Sequence, residues 1–177
     1  MNKRAILIID IQNDFTGNYA KMPVDKNQAA QMITNLNKLI DNTDTSKTEI
    51  IYIGNEYSKW NFLNIFRNFA AIKGMNGTNI DQRLHVVNKI YFPKNKGNAF
   101  TNPNLNSYLI SKNVDEIFIG GLYAEACIYE TVKGGLSQNY KVNILTDCIA
   151  TKSNEQREKA IEKYKKPGAK NIKSETM

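Results

Sequence analysis

Histidine occurs once in these 177 residues and cysteine twice. No apolar run approaches the roughly 18–20 residues that a membrane span takes. Each scarcity removes a class of function. A zinc-type site is built from three or four ligands, and the single histidine, His85, gives no reason to expect one; it reads as a structural residue. The two cysteines, Cys127 and Cys148, do not form a Cys-x-x-Cys pair, which counts against thiol redox chemistry. With no secretory segment, they point to free thiols in a reducing, cytoplasmic setting. The basic start of Met1–Asp10 leads into an apolar stretch that is short and meets Asp10, so it reads as a first strand rather than a signal peptide. Repeats and low-complexity linkers are missing. The net charge is +7, with lysines spread along the chain and densest between Lys159 and Lys173. No nucleic-acid-binding signature accompanies them. The charge serves solubility or draws anionic substrates, and neither nucleic acid nor membrane is expected as a partner.

What is present is ordinary globular material: 41% hydrophobic residues, enough for one domain, 1–177, with a full core. Apolar runs at Ala5–Ile9, Ile50–Ile53, Glu116–Ile119 and Val142–Thr146 read as strands, with a further strand region at Leu84–Phe92 and a short last one at Ala169–Ile172. Between them lie helices. Asp25 with Gln28 forms a capping box ahead of the stripe Ala29, Met32, Ile33, Leu36, Leu39 and Ile40. Asn102-Pro103 opens another helix, Ile128, Val132 and Leu136 mark one from Ile128 to Gln138, and Ser153 with Gln156 caps the last. Strands alternating with helices predict a three-layer α/β/α sandwich around a Rossmann-like, mostly parallel sheet. The aromatic segment from Tyr57 through Trp60 to Phe69 has no clear assignment; it is long enough to cover the mouth of a site.

Three polar residues fall at strand ends, where open α/β sheets bind ligands. Asp10 ends the first run. Lys94 follows the Leu84–Phe92 region, with Lys89 and Lys96 as competing lysines. Cys127 sits where the Gly120-Gly121 turn hands a strand over to a helix. A helix N-terminus and a nearby lysine favour the thiolate, the nucleophilic form, and an aspartate supplies a base. A lowered Cys127 pKa, and far greater reactivity than Cys148, is therefore the expectation. Position alone leaves a second reading standing, that of a small buried core thiol.

With these residues in order, the chain resembles the isochorismatase-like cysteine hydrolases, over nearly its whole length. The carriers are Asp10-Ile11-Gln12-Asn13-Asp14-Phe15, Lys94-x-x-x-Asn98-Ala99-Phe100, Gly121-Leu122-Tyr123-Ala124-Glu125-Ala126-Cys127-Ile128 and Asp147-Cys148-Ile149-Ala150-Thr151. The resemblance implies an isochorismatase-like hydrolase fold and a triad of Asp10 as general base and acid, Lys94 as orienting charge and Cys127 as nucleophile. It also implies a cis Leu122–Tyr123 peptide, aiming the Tyr123 and Cys127 N–H groups into an oxyanion hole. Register favours Lys94 over Lys89 and Lys96. Asn98 stands where relatives have Ser, and Ala124 where many have Thr. Nicotinamidases of the family hold a metal through an Asp-x-His motif and a further His; here Gly54-Asn55-Glu56-Tyr57 occupies that place, so neither metal nor cofactor is expected.

The implied function is hydrolysis of a small-molecule carbon–nitrogen bond, amide or carbamoyl, through a Cys127 thioester. Vinyl-ether hydrolysis of an isochorismate-like dianion is the alternative enzyme, and a non-catalytic binding protein the alternative without chemistry. Phe15, Trp60 and Phe100 are the candidate substrate-pocket aromatics. Related proteins often form dimers or tetramers, so a homodimer or homotetramer is expected.

Overall fold

A computed structural model describes residues 3–177. Six strands form one sheet: β1 (Lys3–Ile9), β2 (Thr48–Asn55), β3 (Tyr91–Lys94), β4 (Val114–Leu122), β5 (Lys141–Ala150) and β6 (Lys170–Ile172). Their spatial order is β3-β2-β1-β4-β5-β6, and every pairing is parallel.

Alternation along the strands builds two cores. Ile6 and Ile8 of β1, with Ile50 and Tyr52 of β2, pack beneath α2 (Lys26–Asn42); of the stripe foreseen from spacing, Ala29, Met32, Ile33, Leu36 and Ile40 are buried there and Leu39 packs partly buried against them. Ala5, Leu7, Ile9, Ile51 and Ile53 point the other way. There they meet α3 (Pro103–Ser111) through Leu105 and Leu109, α4 (Tyr129–Ser137) through Val132, and α5 (Asn154–Tyr164) through Ala160 and Tyr164. Both faces are thus covered, which is why the strands read as unbroken apolar runs. The caps are in place: Asp25 accepts from the Gln28 N–H at 2.9 Å, Asn102 from Asn104 at 3.0 Å and Ser153 from Gln156 at 3.2 Å.

Two expectations change. The strand foreseen at Leu84–Phe92 begins only at Tyr91 and runs on to Lys94. Ahead of it, side chains of other elements take up the backbone. Tyr52 Oη donates to the His85 carbonyl at 2.9 Å and accepts from the Val87 N–H at 3.2 Å, and Asn37 Oδ1 accepts the His85 N–H at 2.8 Å. That leaves no ladder to extend. Pro93 within β3 is tolerated because β3 is an edge strand. The helix foreseen from Ile128 begins at Tyr129, and Cys127 lies before it in a wide π-helical turn, Ala124–Ile128.

The segment after β2 folds into a short 3-10 helix, Phe62–Arg67, that leaves Trp60, Phe62 and Phe66 exposed. Among the described residues no helix is long and apolar enough to cross a membrane.

Candidate active site

The sheet order reverses between β1 and β4, since chain order runs outward from β1 on one side and from β4 on the other. Such a switch point opens a crevice at the carboxyl ends of its strands. Asp10 follows β1 directly, with φ +60, a left-handed conformation that aspartate accepts more readily than most residues. Its N–H donates to the Ile53 carbonyl at 2.8 Å. Across the crevice, Gly121 lets β4 approach: its φ is +123, and a Cβ there would lie 2.0 Å from the Ile9 carbonyl oxygen. The chain then passes through the Leu122–Tyr123 peptide, which is cis, into the turn that carries Cys127.

Lys94 arrives from two strands away. It ends β3 in register with Asn55 of β2, and its stem crosses β2 to reach the crevice. The ammonium meets three acceptors: Asp10 Oδ2 at 2.8 Å, Asn55 Oδ1 at 2.9 Å and Cys127 Sγ at 3.5 Å. A lysine ammonium has three protons to give, so this one is fully used. The Asn55 amide nitrogen stands 3.9 Å from Cys127 Sγ. Lys89 and Lys96 are exposed, while Lys94 is buried. Asp10, Lys94 and Cys127 therefore converge although 117 positions separate the first from the last (127 − 10).

Burial dominates the electrostatics. It raises the Asp10 carboxyl above its ordinary 3.8, with the Lys94 charge pulling the other way. Burial would lower Lys94, but the Asp10 carboxylate and Cys127 outweigh it, and Lys94 is held above 10.5. Cys127 is pushed up to about 12, first by burial and then by the Asp10 charge, against Lys94. The expected lowering of this thiol is thus reversed: no straight helix dipole starts at Cys127, and the lysine's charge is already claimed by Asp10. The resting site is an Asp10–Lys94 ion pair beside a neutral thiol. Asp10 Oδ1 meets no donor at ordinary hydrogen-bond geometry. The Cys127 thiol is the neighbouring proton-bearing group that interacts with this carboxylate.

Sequence reading passed over three of the residues that hold this arrangement. Asn55 orients the Lys94 ammonium. Gln12 clamps the Asn55 backbone, donating from Nε2 to the Asn55 carbonyl at 3.0 Å and accepting from the Asn55 N–H at 2.8 Å. Tyr57 is buried, and its hydroxyl is raised to about 12, chiefly by burial. Only the placement of Asn55 at a strand end, beside the ends of β1 and β3, marked it in advance.

The pocket aromatics part company. Phe15 packs edge-on against Tyr123, centroids 5.8 Å apart, and Tyr123 Oη donates to the Met22 carbonyl. Trp60 is 89% exposed because its segment bulges from the surface. Phe100 stacks on Tyr140 at 5.7 Å, which commits it to packing beneath α4. His85 lies on the surface, 2.9 Å from Asp41. Where metal-holding relatives have ligands after β2, Asn55 is bonded to Lys94 and Glu56 accepts from Tyr91 Oη at 3.1 Å. These residues do not fit a metal, and among the described residues no three His, Cys, Asp or Glu side chains are grouped to hold one.

Comparison with known proteins agrees with the fold. Residues 4–176 match the sequence model of the isochorismatase domain. An uncharacterized isochorismatase family protein of Bacillus subtilis (strain 168), YaaI, is 26% identical over 166 residues, covering 89% of this chain and 86% of the relative. An isochorismatase-like hydrolase from Alkaliphilus metalliredigens superposes with a TM-score of 0.90 at 24% identity, over 98% of this chain and 96% of that one. N-carbamoylsarcosine amidase from Thermoplasma acidophilum does so with a TM-score of 0.84 at 18% identity, over 99% and 98%.

Proposed function

This chain belongs to the isochorismatase family, and we propose that it is a cysteine hydrolase cutting a small-molecule carbon–nitrogen bond, amide or carbamoyl, without metal or cofactor. The observation that carries the proposal is the Lys94 ammonium bonded at once to Asp10 and to Cys127 inside a buried site. That juxtaposition supplies a base, a nucleophile and a fixed positive charge at one point. The likeness of fold to an amidase supports the choice of bond.

In the reaction, the Cys127 thiol passes its proton to Asp10 as sulfur attacks the substrate carbonyl. The negative charge that develops on oxygen is received by the backbone N–H groups of Tyr123 and Cys127. Asp10 returns the proton to the departing nitrogen, the carbon–nitrogen bond breaks and a thioester remains. Water then attacks, giving a proton to Asp10, and the sulfur leaves and recovers that proton. A thiol pKa of about 12 fits concerted transfer, because no free thiolate has to persist at neutral pH.

A panel of small primary amides and carbamoyl compounds, assayed with the wild type beside Cys127→Ala, tests the reading. Turnover of one class that vanishes with Cys127→Ala supports it; turnover unchanged in that variant, or none on any member, overturns it.

A further inference from the structure

The Asn55 amide nitrogen is a donor at the site that the mechanism above does not use. Asn55 closes β2 in register with Lys94, is buried, and has both polar groups of its backbone held by Gln12. The Gln12 amide is itself anchored, donating to the Thr78 carbonyl at 2.8 Å. Lys94 then fixes which way the Asn55 amide faces. An ammonium only donates, so Asn55 Oδ1 turns to Lys94 Nζ, 2.9 Å away. That leaves Nδ2 facing Cys127 Sγ at 3.9 Å. Among the described residues, the sulfur is the one acceptor that this buried nitrogen meets. The contact is long while the sulfur is a neutral thiol, and catalytic hydrogen bonds of a resting site tighten once charge develops. Burial and the Asp10 charge hold the thiol protonated, whereas Lys94 and the Asn55 bond favour the thiolate.

Resting on the hydrolase reading above, we propose that Asn55 is a further catalytic residue, donating from Nδ2 to the Cys127 sulfur when that sulfur is negatively charged, above all as it leaves the thioester. In that step the water oxygen bonds to the thioester carbon and its proton goes to Asp10. The tetrahedral intermediate then collapses. The carbon–sulfur bond breaks, its electron pair passes to sulfur, and the acyl group is released as its acid. Asp10, now neutral, no longer claims the Lys94 charge, so the ammonium and the Asn55 N–H receive the thiolate together. Asp10 returns its proton to sulfur and the ion pair with Lys94 forms again.

p-Nitrophenyl acetate tests this without a natural substrate. It acetylates a nucleophilic thiol with release of nitrophenolate, and intact mass then follows hydrolysis of the acetyl-Cys127 thioester. Asn55→Leu, similar in size and without the amide, should slow that hydrolysis by about 10- to 100-fold, the scale of one hydrogen bond to a charged group. A double-mutant cycle separates this from a role exercised only through Lys94. Iodoacetamide labelling of Cys127, at a fixed pH below its pKa, follows the thiolate fraction. Asn55→Leu should slow labelling by a similar factor in the wild-type and Lys94→Met backgrounds alike. Unchanged hydrolysis of the acetyl-enzyme in Asn55→Leu, or a slowing of labelling that disappears in the Lys94→Met background, overturns the proposal. A wild type that shows no acetylation removable by Cys127→Ala overturns the hydrolase reading, and the proposal with it.

Discussion

The Lys94 ammonium and the Asp10 carboxylate stand 2.8 Å apart with side chains 0% and 1% exposed. Taking two charges out of water costs several kcal/mol per ion, and only good geometry with further hydrogen bonds offsets it. Asn55 and Cys127 supply those further partners. The pair is thus a poor device for stability alone, and its place at the switch point gives it a use.

Lys94→Ala should abolish turnover and cost about 3–5 kcal/mol of stability, because it strands Asp10 as an unpaired buried charge. Lys89→Ala and Lys96→Ala, at exposed positions, should stay within about 0.5 kcal/mol of wild type and keep their activity. Urea unfolding beside turnover measures all three. An inactive Lys96 or Lys89 variant would move the triad lysine.

Asp10 sets opposite pH trends for activity and stability. Its pKa in the folded protein lies above the ordinary 3.8, so the folded state binds the proton more readily than the unfolded chain. The stability it contributes is therefore fully present below pH 3.8 and is lost as pH rises through the folded pKa. Activity needs the ionised base and should rise over the same window. Asp10→Asn should remain folded, lose about 10²–10⁴-fold in turnover and lack that component of the pH dependence of stability. Turnover profiles and denaturation across the acid range check both trends.

Alkylation separates the two thiols by access rather than by acidity. Burial lifts both Cys127 and Cys148 to about 12, but Cys127 is 8% exposed and Cys148 0%. Iodoacetamide should label Cys127 first, slowly at neutral pH and faster as pH rises, with activity lost in step. Peptide mapping that finds Cys148 labelled first, or activity retained after Cys127 is labelled, would contradict the arrangement.

Asp81 ties the loop before β3 to the first crossover. It accepts from Thr16 Oγ1 at 2.6 Å and from Arg83 Nη2 at 2.6 Å. Burial works to raise its carboxyl, yet these bonds outweigh it and hold the pKa at about 2. A depressed carboxylate contributes stability above its unfolded pKa, near 3.8, that is lost as pH falls through about 2. Asp81→Asn should cost about 1–3 kcal/mol at neutral pH, with the gap to wild type closing toward pH 2 in urea titrations.

Much of this was legible in the sequence. The unbroken apolar runs marked a sheet covered on both faces, the caps at Asp25, Asn102 and Ser153 placed three helix starts, and strand ends marked Asp10 and Cys127, with the family resemblance adding Lys94. These are local facts, carried by periodicity, capping chemistry and residue order. Other features came only with the tertiary structure. Residues 84–90 lost their strand to side-chain bonds from Tyr52 and Asn37, which arrive from elements far away in the chain. Asn55 met Lys94 at the site because β2 ends beside β1 and β3. The acidity of Cys127 turned out opposite in direction to what its neighbours in sequence imply. The reason is physical: desolvation depends on everything packed around a group, and a charge such as Lys94 cannot be assigned to a thiol until the competing carboxylate at 2.8 Å is known.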